Sequence, residues 1–310
     1  MLEAALVVLR FAQYTGAAIL FGASLFLLYA LPRAGELAPP ALAWPRGLLV
    51  VATLLTLVGA VLGLIVQTAT MAGSLTEGLK PAALTFVAGG TGIGRAALFR
   101  ALAAAVAAVG LLLFRPGAWL WGLLAVLGGV TTASWAWMGH GAATEGAGAL
   151  VHLVADVVHS LAAGLWLGAL PAFLLLLWRP MSIGAAAGRV VHRSLHGFGG
   201  IGATAVAALI LTGLVNSWYL VGPSNVWTLW ASEYGRLLSV KLLLFALMLG
   251  LAAANRYRLT PRLEAALATG SAAAAALAAL RRSVIVEAGA GLGILALVAW
   301  LGTLAPPSGG

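Results

Sequence analysis

Residues 150–178 read LVHLVADVVHSLAAGLWLGALPAFLLLLW. An α-helix crosses a bilayer with ~20 largely apolar residues, and this run exceeds that length with one aspartate and two histidines as its ionisable groups. A half-buried strand would alternate apolar and polar residues, and no such alternation occurs. The stretch reads as a transmembrane helix. Seven further runs qualify, at roughly 4–31, 48–70, 95–114, 117–138, 196–221, 234–254 and 283–304. Pro32, Pro45, Pro81, Pro116, Pro180, Pro223, Pro261 and the Pro306–Pro307 pair punctuate the gaps, as residues that cannot continue a helix should.

Composition agrees. The 310 residues include 17 Lys plus Arg and 8 Asp plus Glu, so charged residues are 8% of the chain, and mean hydropathy is +1.06. Soluble domains carry nearer ~25% charged residues, which excludes a water-soluble fold. The absence of Cys removes disulfides, thiolate metal sites and cysteine catalysis. A net charge of +9 would suit nucleic acid if it were clustered on a solvated face. Here the basic residues fall between apolar runs, and no nucleic-acid partner is expected. The fold class predicted is all-α, a polytopic bundle of eight transmembrane helices.

Loops on one side hold Arg33, Arg46, Arg115, Arg179, Arg189, Arg193, Arg256, Arg258, Arg262, Arg281 and Arg282, whereas the other side holds Lys80, with Arg95 and Arg236 at span starts. The positive-inside rule then places both termini outside. Arg10 interrupts the first apolar run and no basic segment precedes it, so the first span is expected to be permanent rather than a cleaved signal. Within 262–282, the Ala-rich stretch 263–280 lies between two arginine clusters. It is expected to form a cytoplasmic or interfacial helix rather than a ninth span.

The two halves, 1–142 and 143–310, resemble each other. Thr91-Gly92-Ile93-Gly94-Arg95 with Arg100 matches Ser232-Glu233-Tyr234-Gly235-Arg236 with Lys241 at an offset of 141. At an offset of 146, Arg10 falls on Asp156, Gln13 on His159 and Gly22 on Gly168. Four spans per half preserve direction, which predicts a parallel 4+4 repeat about an axis along the membrane normal. The Gly-rich run 89–94 lacks dinucleotide-fingerprint spacing and a preceding strand; it reads as a turn before the third span.

Ionisable groups inside spans are costly and usually functional. Arg10, Asp156 and Lys241 each lie six or seven residues into a span that runs inward. At ~1.5 Å per residue that is roughly 10 Å below the outer surface. Gln13, Met138, His152 and His159 share this outer half. Asp156 and Lys241 are expected to lock two helices as an ion pair, and, compatibly with that, Asp156 supports a metal-binding histidine or moves a proton. His152, Asp156 and His159 lie at i, i+4 and i+7 on one helical face. The histidines are then ~10.5 Å apart along the helix, too far to share one ion, so they mark two stations or are each completed from elsewhere. His140, in Met138-Gly139-His140, supplements them across a short glycine-rich connection, and Met71 and Met138 offer thioethers. Imidazole and thioether without thiolate suit copper, particularly Cu(I). His192 and His196 sit beside Arg189 and Arg193 near the inner end of the sixth span, as an interfacial basic helix end or a cytoplasmic exit site.

Four stretches carry a resemblance: HLVADVVHSLAAGLWLGALP (152–171), LTGLVNSWYLVG (211–222), YGRLLSVKLLLFALMLGLAAANRYRLTP (234–261) and EAGAGLGILALVAWLGTLAPP (287–307). They resemble the CopD/PcoD family of copper-resistance membrane proteins through H-x-x-A-x-x-x-W-x-G (His159, Ala162, Trp166, Gly168), YGR-x-L-x-x-K and the closing LGTLAPP. The resemblance implies an eight-span inner-membrane protein that takes copper from the periplasm or cell exterior toward the cytoplasm. It also implies a small CopC-like copper-binding partner, here a separate chain. Where the family often has a histidine in the first span, this chain has Gln13. No nucleophile–base constellation or H-E-x-x-H pair marks an enzyme. A haem-binding redox protein and a structural or assembly subunit are the alternative readings; for a bis-His haem, His159 and His196 lie at mismatched depths.

Overall fold

The computed structural model describes residues 1–30, 43–138, 144–178, 185–269 and 273–309, and every regular element among them is a helix. In chain order these are α1 (Leu2–Ala30), α2 (Ala43–Met71), the short α3 (Leu75–Gly78) and α4 (Pro81–Gly90), α5 (Gly92–Leu113) and α6 (Ala118–Ala133). They are followed by α7 (Ala149–Trp178), α8 (Ala185–Leu220), α9 (Glu233–Ala254), α10 (Thr260–Thr269) and α11 (Ala273–Leu301). A 3₁₀ turn, Ser134–Trp137, extends α6, and a π turn, Asn255–Leu259, joins α9 to α10. Eight of these helices are long and apolar enough to cross a membrane, matching the eight runs of the sequence.

Polarity is distributed inside out. Val51, Phe86, Phe99, Leu112, Leu113, Val126, Leu211 and Leu243 lie on the outer surface, while Arg10, Gln13, Arg100, Thr132, His152 and Glu287 are buried. In hydrocarbon, an apolar exterior has no cost and a polar group must find its partner within the bundle.

Several boundaries differ from expectation. Pro45 falls in the first turn of α2 rather than before it, because the N–H that proline lacks has no intrahelical acceptor there. Pro261 does not end its helix either. Its ring crowds the carbonyl four residues back, and the helix widens into the π turn, whose Thr260 N–H bonds the Asn255 carbonyl. The Ala-rich stretch 263–280 falls partly on α10 and partly on α11, with 270–272 outside the described residues. Leu263, Leu277 and Leu280 from it enter the core.

The bundle is centred on α1, which packs against α2, α6 and α7, while α8 packs on α7 and α9 on α11. The α1–α7 contact is made by backbone. A Cβ on Gly168 would lie 1.7 Å from the Ala18 carbonyl oxygen, and one on Gly22 would lie 2.4 Å from that of Gly164. Under the offset of 146, Ala18 corresponds to Gly164 and Gly22 to Gly168, so each contact is the counterpart of the other. The starts of α5 and α9 are also alike. Thr91 Oγ1 accepts from Gly94 N–H at 2.9 Å, and Ser232 Oγ accepts from Gly235 N–H at 3.0 Å. Both glycines press on a carbonyl of the preceding segment, Val87 and Leu229.

Candidate functional site

A cavity of about 440 Å³ lies among α7, α8, α9 and α11, closed on one side by Tyr14 of α1 and by Trp135. Apart from these two, its lining comes from residues 156–302. Asp156, His159 and Trp166 of α7 line it, and ten residues of helix give it a length of ~15 Å. Ser160 of α7, Asn216 and Ser217 of α8 and Tyr234, Lys241 and Met248 of α9 add polar and soft donors, set in a largely apolar wall that includes Leu167, Phe245 and Leu295.

Asp156 accepts a hydrogen bond from Asn216 Nδ2 at 3.2 Å. Lys241 shares the cavity, but the one ion pair closer than 4 Å among the described residues is the exposed Lys80–Glu77 pair. Asp156 and Lys241 therefore compensate each other across the cavity and not by direct contact.

His159 Nδ1 lies 3.0 Å from Thr212 Oγ1. That hydroxyl donates its single hydrogen to the Ala208 carbonyl at 2.6 Å, so toward His159 it only accepts. With the hydroxyl oriented this way Nδ1 carries the ring proton, and in a neutral imidazole this leaves the lone pair on Nε2. A neighbour that fixes a histidine's tautomer in this way is the arrangement found around metal-ligating imidazoles. Met248, seven residues beyond Lys241 on the same face of α9, is buried. Its Cε lies 3.7 Å from where a Gly291 Cβ would stand.

One turn of α11 before Gly291 is Glu287, 1% exposed. Its carboxylate accepts from Trp166 Nε1 at 2.7 Å and from Asn255 Nδ2 at 2.8 Å. Trp166 thus joins the cavity wall to a buried carboxylate held by neutral donors. Removing that acceptor orphans two buried N–H groups at ~1–3 kcal/mol each. Glu287→Leu should accordingly cost roughly 2–6 kcal/mol, read as a lowered thermal midpoint in detergent. Glu287→Gln, which keeps an acceptor oxygen, should lose less.

The remaining expected residues fall elsewhere. His152 is buried one helical turn before the cavity-lining Asp156, stacked on Tyr219 (ring centroids 4.7 Å apart) with Nδ1 2.6 Å from Thr144 Oγ1. Met138 packs in an apolar cluster with Tyr14, Trp135 and Leu295, and Met71 is exposed at the end of α2. Gln13 lies in the groove formed by Gly59 and Gly63 of α2, and Arg10 is buried against Gln67 and Gly302. His140 and the side chains of His192 and His196 lie outside the described residues. Among the described residues no three His, Asp or Glu side chains converge. Sequence reasoning missed Met248, Thr212 and the pairing of Glu287 with Trp166 and Asn255. The i+7 spacing of Met248 from Lys241 was the available signal.

Comparison with known proteins gives concordant matches. Residues 1–151 match the family model "Copper resistance protein D-like, N-terminal domain", and residues 192–301 match "Copper resistance protein D". The chain is 41% identical over 305 residues to "Copper resistance protein D" of Pseudomonas syringae pv. tomato, covering 97% of this chain and 96% of that relative. It is 32% identical over 131 residues to "Inner membrane protein YebZ" of Escherichia coli (strain K12), covering 41% of this chain and 42% of the relative. No solved structure matches the chain.

Proposed function

The chain belongs to the copper resistance protein D family, copper-related proteins that cross the inner membrane several times, and on that premise we propose that it moves copper from the periplasm or cell exterior toward the cytoplasm. The observation that carries this reading is His159, whose Thr212 contact leaves the Nε2 lone pair as a metal donor in a walled cavity. With both termini outside, as the arginine-rich loops require, the Asp156–His159–Lys241 end of the cavity faces outward. Copper enters there, with His159 as first ligand and Asp156 offsetting the charge of Lys241. Met248 is the next soft donor inward, and the Glu287 carboxylate lies one turn of α11 beyond Gly291. Imidazole and thioether in sequence suit copper better than Mg or Ca. His152 and His140 mark the approach to this site, and His192 and His196 the cytoplasmic exit. A separate small CopC-like protein delivers the ion.

The same reading takes residues 1–142 and 143–310 as a parallel repeat. The reciprocal α1–α7 contacts and the matching helix caps support it, because elements related by a two-fold axis touch through equivalent positions.

Copper uptake by proteoliposomes tests the path. Met248→Leu conserves volume and should cost the fold less than about 1.5 kcal/mol. It is expected to keep copper binding while slowing uptake roughly tenfold, the rate equivalent of ~1.4 kcal/mol of lost ligation. Uptake by the unmodified chain no faster than by protein-free liposomes would remove transport from the proposal.

A further inference from the structure

The copper path leaves two buried cations unused. Arg10 of α1 is 4% exposed and Arg100 of α5 1% exposed. Arg10 Nη2 reaches Gln67 Oε1 at 3.5 Å, and Arg100 Nη1 donates to the Ser134 carbonyl at 3.3 Å and hydroxyl at 3.1 Å. Arg10 Nε and Nη1 and Arg100 Nε have no hydrogen-bond partner among the described residues. Neither guanidinium has a carboxylate within 4 Å there. Tyr14, one turn of α1 beyond Arg10, packs its ring on Trp135 with centroids 4.7 Å apart, and Ser134, the neighbour of Trp135, is the residue that holds Arg100. The chain makes room for this arrangement. A Cβ on Gly302 would stand 2.8 Å from Arg10 Nη1. The carbonyl end of α11 beside it offsets about half of one charge, which leaves most of the pair uncompensated in a medium that penalises isolated ions.

The second half shows what is missing. At the offsets of 141 and 146, Arg100 corresponds to Lys241 and Arg10 to Asp156. There, one carboxylate and one cation share a site; in the first half, an arginine stands where the carboxylate should be. We infer that a small monovalent anion of chloride size binds between Arg10 and Arg100 and supplies the charge that Asp156 supplies in the other half. Guanidinium N–H groups are fixed donors that suit an anion and cannot shed their charge. Both side chains are almost fully buried, a setting that suits a compact ion rather than a lipid headgroup. The anion also lowers the positive field at the Tyr14 wall, which a copper cation in the cavity would otherwise meet.

The test needs no copper. Metal-free full-length protein in uncharged detergent is melted in sodium chloride, bromide, sulfate or gluconate at constant ionic strength. Chloride and bromide should each raise the midpoint over gluconate by roughly 3 °C per tenfold concentration above the dissociation constant. Sulfate should not. Arg100→Gln and Arg10→Gln should lose the halide response, whereas the exposed Lys80→Gln should keep it. A midpoint indifferent to halide, an equal rise with sulfate, or a full response in both arginine variants overturns the proposal. If the variants do not fold, bromide-soaked crystals of the unmodified chain decide it. An anomalous peak between the two guanidinium groups supports the site, and its absence there overturns it.

Discussion

Replacing His159 with alanine is expected to weaken copper binding to the purified chain by more than the ~10–100-fold that loss of an outer-sphere partner causes. The expectation follows from hydrogen-bond bookkeeping at one side chain. Thr212 has a single hydroxyl hydrogen and gives it to Ala208, so it holds the proton on His159 Nδ1 and leaves Nε2 for the ion. Thr212→Val removes that acceptor while keeping the shape. It should cost affinity in the ~10–100-fold range itself. His152 is engaged by Thr144 and stacked on Tyr219 away from the cavity. His152→Ala should therefore leave the affinity of the cavity site within about threefold, a difference below ~0.7 kcal/mol. A competition titration with Cu(I) chelators measures all three. Equal affinity in His159→Ala and the unmodified chain would sink the site.

The second large effect concerns the fold. Gly168→Leu is expected to abolish recovery of folded protein. Overpacking a core ordinarily costs ~1–3 kcal/mol because side chains shift to accommodate it. At Gly168 the obstacle is the Ala18 carbonyl, 1.7 Å from the added Cβ, with its carbon at 2.4 Å. Backbone of a neighbouring helix cannot rotate away, so α1 and α7 would have to separate and lose the contact that centres the bundle. Gly22→Leu should behave alike, since it meets Gly164 and Ala169 backbone. Gly250→Ala in α9 and Gly122→Ala in α6 have nothing among the described residues within 4 Å of the new Cβ. They should be neutral or gain up to ~1 kcal/mol of helix propensity. Fluorescence-detected size-exclusion chromatography compares them, and a monodisperse Gly168→Leu protein at normal yield would contradict the packing described.

Much of this was legible in the sequence because a membrane makes polarity conspicuous. Asp156 and Lys241 could be put at one depth, and His159 in the same outer half, by counting residues from span starts, and all three line one cavity. The resemblance through Trp166 and the YGR element pointed to the family that the chain's matches identify. Depth counting cannot tell which neighbour a side chain meets, however. His152 and His159 share a helical face, yet α8 presents Tyr219 to the first and Thr212 to the second. Met248 is one apolar residue among many in its run, and its place beside Gly291 depends on how α9 packs on α11. Pro261 looked like a terminator; only the local widening at Asn255–Leu259 shows that the helix continues past it. Arg10 and Arg100 were visible as charges, but that neither has a carboxylate within 4 Å among the described residues is a property of the packed bundle.

Anomalous diffraction at the copper absorption edge, from crystals grown with copper, bears most directly on the central claim. The account predicts a peak inside the cavity within bonding distance of His159 Nε2, lost in His159→Ala crystals. A peak at His152 or His140 with none beside His159, or a cavity peak that persists without His159, would contradict it.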